Sequence, residues 1–118
     1  MVSQIMLLES ELNGGVANIK KDISAWQNVT IQAVGAGGSI TVTGSNWSGE
    51  MEGVYDGDAT TAPVSGFTAV QVVNMATGTA TTTISADGLY RIAPISFKYL
   101  RLDGGTATRI VIFLNKPF

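Results

Sequence analysis

The chain has no cysteine and no histidine, and only 14% of its 118 residues carry charge. Without cysteine, no disulfide holds the fold and no thiolate serves as nucleophile or metal ligand. Stability must then come from a core or from association with other chains. Without histidine, Ser-His-Asp and Cys-His arrangements are excluded, together with the commonest general base and the usual zinc ligand. Long apolar runs are missing too, and a membrane helix needs about 20 such residues. Ile5-Met6-Leu7-Leu8 is too short for a secretory hydrophobic region and runs straight into Glu9 and Glu11, so no export signal is expected. The formal net charge of −2 leaves no global basic surface for nucleic acid.

What is present is glycine, at 14 residues, with abundant Thr, Ser and Val in a chain that is 45% apolar. Thr and Val are stiff at χ1 and Gly supplies positive φ, so the mixture favours short strands joined by tight turns. The length suits one domain with a sizeable core.

Ala86 to Leu114 organises the rest, with three candidate strands separated by Asp87-Gly88 and Asp103-Gly104-Gly105. The last strand carries Ile110, Val111, Ile112, Phe113 and Leu114 in succession, an unbroken apolar run expected to be covered on both faces. Upstream, residues 1–15 read as an N-terminal arm or first edge strand, and 16–118 as the β-sandwich domain. Val16 to Trp26 fits a strand followed by a bend. Asn28 to Val34 and Ser39 to Ser45 both alternate, and the glycines between them predict a hairpin. Met51 to Tyr55 is a further candidate strand. Phe67 to Val73 and Thr79 to Ala86 follow as single strands joined at Thr77-Gly78, with Thr79, Thr81, Thr83 and Ser85 as a polar row.

An internal echo supports a two-sheet arrangement. Ile23-Ser24-Ala25-Trp26 leads into Val29 and Ile31 much as Ile95-Ser96-Phe97 leads into Leu100 and Leu102. Aligned, Trp26 and Phe97 occupy equivalent corners, and the two aliphatic pairs face one core. The expected class is all-β, a two-sheet β-sandwich of jelly-roll type in a single domain.

Few residues carry chemistry. Asp56-Gly57-Asp58 with Glu50 and Glu52 is the one candidate carboxylate cluster, but it lacks the spaced ligands and distal Glu of a calcium loop and reads as a solvated acidic turn. Nothing in the sequence sets the separation that a glycosidase pair requires. Trp47 and Tyr55 flank the same loop and have the chemistry to stack on a sugar ring, although aromatics in a sandwich more often fill a core or corner. No catalytic residue, metal site or cofactor is expected. Positive charge concentrates in Arg91, Lys98, Arg101, Arg109 and Lys116, so complementary contact between neighbouring subunits is one reading of the asymmetry. The aromatics are not interleaved with these basic residues as a nucleic-acid stacking platform would require.

Ile40-Thr41-Val42-Thr43-Gly44-Ser45-Asn46, then Ala86-Asp87-Gly88-Leu89-Tyr90-Arg91-Ile92 and Phe97-Lys98-Tyr99-Leu100-Arg101-Leu102, resembles small β-sandwich proteins of tailed bacteriophage virions. These include head decoration (cement) proteins and modules of tails and fibres. The resemblance covers roughly Ile23 to Leu114, and Trp47-Ser48-Gly49 departs from the Asp-Gly and aromatic that often follow Ser-Asn in such relatives. It implies a non-enzymatic virion structural protein that binds the outer surface of the head and stabilises it. The implied partners are the major capsid protein or another virion protein, and further copies of the chain in a small oligomer such as a trimer. No nucleic acid or membrane is implied. A tail or fibre module binding host-surface carbohydrate is the alternative. The expected contact residues are Ile5, Leu7 and Leu8 at the N-terminus, and Trp47, Glu50, Glu52, Tyr55, Asp56 and Asp58 in the loop.

Overall fold

A computed structural model describes residues 2–12, 15–46, 67–92 and 97–116. The eleven strands in the described residues are β1 (Val2–Leu7), β2 (Ile19–Asp22), β3 (Asn28–Val34), β4 (Ile40–Ser45), β5 (Thr68–Ala69), β6 (Val72–Asn74), β7 (Ala80–Thr81), β8 (Thr83–Ile84), β9 (Gly88–Ile92), β10 (Tyr99–Asp103) and β11 (Arg109–Lys116). Six of them form one sheet in the order β1-β11-β3-β9-β6-β7. The other sheet runs β2-β10-β4-β5, with β8 also paired to β4. Every pairing is antiparallel. The protein is therefore an all-β sandwich of two antiparallel sheets.

Period-two alternation builds the core. Val29, Ile31 and Ala33 of β3 point inward beside Ile110, Ile112 and Leu114 of β11, and beside Tyr90 and Ile92 of β9. Facing them from the second sheet are Ile40 and Val42 of β4, Leu100 and Leu102 of β10, and Ile19 of β2, all buried. The two echoed segments thus lie in opposite sheets, Val29 and Ile31 in one and Leu100 and Leu102 in the other. Trp26 and Phe97 are both half-buried against the core. Tyr90 keeps its phenol satisfied by donating to the Ala86 carbonyl at 2.8 Å.

Three local expectations are corrected. First, β3 and β4 do not form a hairpin, since β3 belongs to the six-stranded sheet and β4 to the other. The glycines between them build an arch across the sandwich. Gly35 (φ 69°) and Gly38 (φ 65°) take left-handed conformations, and a Cβ on Gly35 would lie 2.3 Å from Thr108 Oγ1. The connection from β10 to β11 crosses beside it. Gly37 and Thr106 tie the two arches by reciprocal main-chain bonds of 2.9 and 2.8 Å.

Second, the two segments read as single strands each change sheets midway. Phe67 to Val73 splits into β5 in one sheet and β6 in the other, with the Val70 N–H donating to the Val42 carbonyl at the crossing. Thr79 to Ala86 splits into β7 and β8. Its polar row is interrupted where Thr83 N–H donates to Thr81 Oγ1 at 3.2 Å. Third, β11 is covered on one face only. Ile110, Ile112 and Leu114 are buried, whereas Val111 is half-buried and Phe113 remains 37% exposed on the outer side. The candidate strand Met51 to Tyr55 lies outside the described residues.

Candidate functional site

The N-terminal segment is β1, paired along its length with β11 from Val2↔Lys116 to Leu7↔Val111. Alternation then separates the expected contact residues Ile5, Leu7 and Leu8. Leu8 follows the strand, donates its N–H to the Ile110 carbonyl at 2.9 Å and is buried in the core. Ile5 and Leu7 point to the opposite face and are 66% and 55% exposed. The turn that follows, with Leu12 buried, ends as Gly15 N–H donates to the Leu12 carbonyl. Leu8 is thus a core residue, and Ile5 and Leu7 are surface ones.

On the outer face, cross-strand register assembles neighbours for them. Ile5 lies opposite Phe113, and Leu7 opposite Val111. Thr30 and Gln32 of β3 come next in these two rows, followed by Arg91 and Leu89 of β9. Met75, 54% exposed, adjoins Leu89 through a main-chain bond of 2.9 Å, and Leu89 itself is 45% exposed. The result is an apolar group at the β1–β11 side and a smaller one at Leu89 and Met75, with Thr30 and Gln32 between. Val111, Phe113, Leu89 and Met75 are functional candidates that sequence reasoning did not single out. The signal for Val111 and Phe113 was the unbroken apolar run of β11, which announces two apolar faces of which the described residues cover one; Leu89 and Met75 had no such run to mark them.

The outer face of the five-stranded sheet has different chemistry. Lys20, Arg101 and Thr43 share one row, and Asp22, Tyr99 and Ser45 the next. Lys20, Thr43 and Ser45 are buried there. The Phe67 ring lies over both Lys20 Nζ (5.6 Å) and the Arg101 guanidinium (5.9 Å) in cation–π geometry. Arg101 also donates from Nε to Asn18 Oδ1 at 2.8 Å and pairs with Asp103 at 3.0 Å. Asn18 holds a positive φ of 55°, a conformation asparagine tolerates better than most residues.

Several of the basic residues are engaged within the chain. Arg109 pairs with Glu9 at 2.6 Å, and Lys116 sits over the Trp26 ring at 5.8 Å. Lys21 pairs with Glu11 at 2.9 Å. Trp47, Glu50, Glu52, Tyr55, Asp56 and Asp58 lie outside the described residues. Where β4 runs out toward them, Gly44, Ser45, Asn46, Thr68, Ala69, Val70 and Phe97 line an open recess of about 350 Å³. None of those seven described residues is titratable. Among the described residues no group of three or more acidic side chains is placed to hold a metal ion.

Among the described residues, Asp87 is the carboxylate whose surroundings shift its pKa. Asp87, at the start of β9, accepts from Ala36 N–H at 2.7 Å and Gly35 N–H at 3.0 Å. These two bonds hold its pKa below the ordinary 3.8. They fasten the β3–β4 arch to the adjoining β8–β9 turn, a structural role.

No protein-family model matches the chain, and no curated protein matches it by sequence. Among solved structures, its fold is similar to that of the SPBc2 prophage-derived protein YomS, with a TM-score of 0.60 at 11% identity. The match covers 97% of this chain and 95% of that one, so it extends over the whole sandwich.

Proposed function

We propose that this protein is a non-enzymatic structural component of a tailed-bacteriophage particle, and that it works by docking against another virion protein. In its most specific form it is a head decoration protein that binds the outer surface of the capsid and stabilises the shell. The observation that carries the reading is the solvent-facing apolar group formed by Ile5, Leu7 and Phe113, with Val111 half-buried beside them. Phe113 belongs to a strand whose apolar run suits cover on both sides, and a protein partner supplies the missing cover. Removing such side chains from water favours association in proportion to the area buried. Binding to the assembled shell alone stabilises it by mass action. The virion-like residue pattern and a fold similar to a prophage-derived protein support the phage setting.

The test is to purify particles, locate the protein on them by gold labelling of a tagged copy, and compare a Leu89→Lys, Phe113→Lys variant. The expected result is label on the head for the natural chain and loss of most label for the variant, which remains folded. Label confined to the tail, together with binding on a glycan array, supports the carbohydrate-binding alternative and overturns the decoration reading. Absence from particles altogether overturns both.

A further inference from the structure

We infer that the β1 edge is a homodimer interface, at which two copies pair antiparallel about a twofold axis centred on Ile5. The inference goes beyond the proposed function, because it concerns purified protein with no particle present.

Hydrogen-bond parity decides which main-chain groups of β1 face outward. Leu8 N–H bonds to the Ile110 carbonyl, so Leu8↔Ile110 is a bonded pair of the β1–β11 ladder. Bonded and non-bonded pairs alternate in an antiparallel ladder. The main-chain groups of Met6, Gln4 and Val2 therefore face β11, and those of Ser3, Ile5 and Leu7 point away from the sheet toward the open edge. Such a row of donors and acceptors is a template for another strand unless charge, proline or a bulge blunts it. Val2–Leu7 contains no charged residue and no proline, and its register with β11 is unbroken. The nearest charge beyond Leu8, Glu9, is already paired with Arg109.

The other sheet edges in the described residues are protected. β5, β7 and β8 are two residues long, and β2 carries Lys20, Lys21 and Asp22. β1 also stands clear of the second sheet, since Val2 and Gln4 are exposed although they point to its side.

A second copy fits this edge better than an arbitrary strand does, because the edge is self-complementary. Opposed residues must share a face, which limits twofold registers to those centred on a residue. Centring on Ile5 sets Ser3 against Leu7 of the other copy, Ile5 against Ile5, and Leu7 against Ser3. Each is a pair exchanging two main-chain bonds, and all three outward-facing residues are used. Centring on Gln4 or Met6 leaves one of the three without its counterpart in the strand. The Ile5 register also creates one apolar row, Phe113–Ile5–Ile5–Phe113, across the axis. No like charges oppose one another within it. The six-stranded sheet of one copy then continues into that of the other, and both apolar outer faces lie on the same side. A contact of this isologous kind closes at two copies.

The decisive experiment combines mass and register. At on the order of 100 μM, the natural chain is expected to sediment at twice the chain mass. Ile5→Lys is expected to sediment as a single chain and to melt as the natural chain does once diluted until it too is a single chain, because the substituted position is solvent-facing in the monomer. Ile5→Pro is a second disrupting variant, since the N–H it removes is one that β11 does not use. A single-chain mass for the natural protein, or a double mass that survives both substitutions, overturns the inference. Because the chain has no cysteine of its own, introduced cysteines read the register. The Cα atoms of a bonded pair lie about 5.5 Å apart, within disulfide range, so Ile5→Cys should oxidise to linked dimer at least about tenfold faster than Ser3→Cys or Leu7→Cys alone. In the Ile5 register two Ser3 positions are separated by about 13 Å, whereas a mixture of Ser3→Cys and Leu7→Cys should link as a heteropair. Equal rates at all three positions, or no linkage at Ile5, overturn the register and with it the twofold contact.

Discussion

On the outer face of the six-stranded sheet Ile5, Leu7, Leu89 and Phe113 meet solvent, while on the outer face of the five-stranded sheet Lys20, Thr43 and Ser45 are buried. Each face departs from the ordinary pattern of apolar inside and polar outside, and in opposite senses. The polar face is satisfied within the chain. Phe67 lies over Lys20 and Arg101, and Arg101 has Asn18 and Asp103 as partners. The apolar face has no such provision among the described residues. A covered polar face contributes to the stability of the single chain, and an open apolar face gains only when something else covers it. On the function proposed above, the two faces divide the work, one holding the sandwich together and the other docking on a partner.

Substitutions on each side of this division should give separable outcomes. The largest effect belongs to neither outer face. Ile112→Ala, between the sheets on the strand that presents Phe113, should cost about 2–5 kcal/mol in denaturant unfolding, because the cavity it leaves is enclosed. Phe67→Ala should cost about 1–2 kcal/mol, from the lost burial of a half-exposed ring and two cation–π contacts. Leu89→Lys should change stability by less than about 0.5 kcal/mol, since the side chain is already largely in water. It should nevertheless weaken attachment to particles in a pelleting assay. If Leu89→Lys proved as destabilising as Phe67→Ala, the division between the faces would fail.

How much of this was legible in the sequence depends on the distance over which each feature is decided. Alternation within β3 and β10 placed Val29, Ile31, Leu100 and Leu102 in the core, because a strand's side-chain period is local. The choice of sheet is not local. The glycines at 35, 37 and 38 serve an arch as readily as a hairpin, and what selects the arch is Thr106 and Asp87, far along the chain. At Val70 and at Thr82 the strands change sheets without a Gly or Pro to mark the corner. Ile5, Leu7 and Leu8 read as one apolar cluster, yet strand parity sends Leu8 inward and the other two outward. In β11 the apolar run was informative about chemistry. It announced two faces suited to burial, and the described residues cover one of them.

The smallest effect concerns Asp87, which fastens the arch joining the two sheets. Its carboxylate accepts from Gly35 and Ala36, and its folded pKa lies below the ordinary 3.8. A depressed carboxylate contributes stability that is present above the unfolded-state value and is lost as pH falls through the folded one. Asp87→Asn keeps an acceptor oxygen but gives up the charge that strengthens both bonds. The variant should therefore melt slightly below the natural chain at pH 7, and the gap between the two melting curves should narrow as pH falls from about 4, where the unfolded chain's carboxylate takes up its proton, through the lower folded value. A gap that stayed constant from pH 7 to pH 3 would mean that the arch is held by Gly37 and Thr106 alone. Because the arch serves both sheets equally, this change should leave particle attachment at pH 7 untouched, which sets it apart from any substitution on the apolar face.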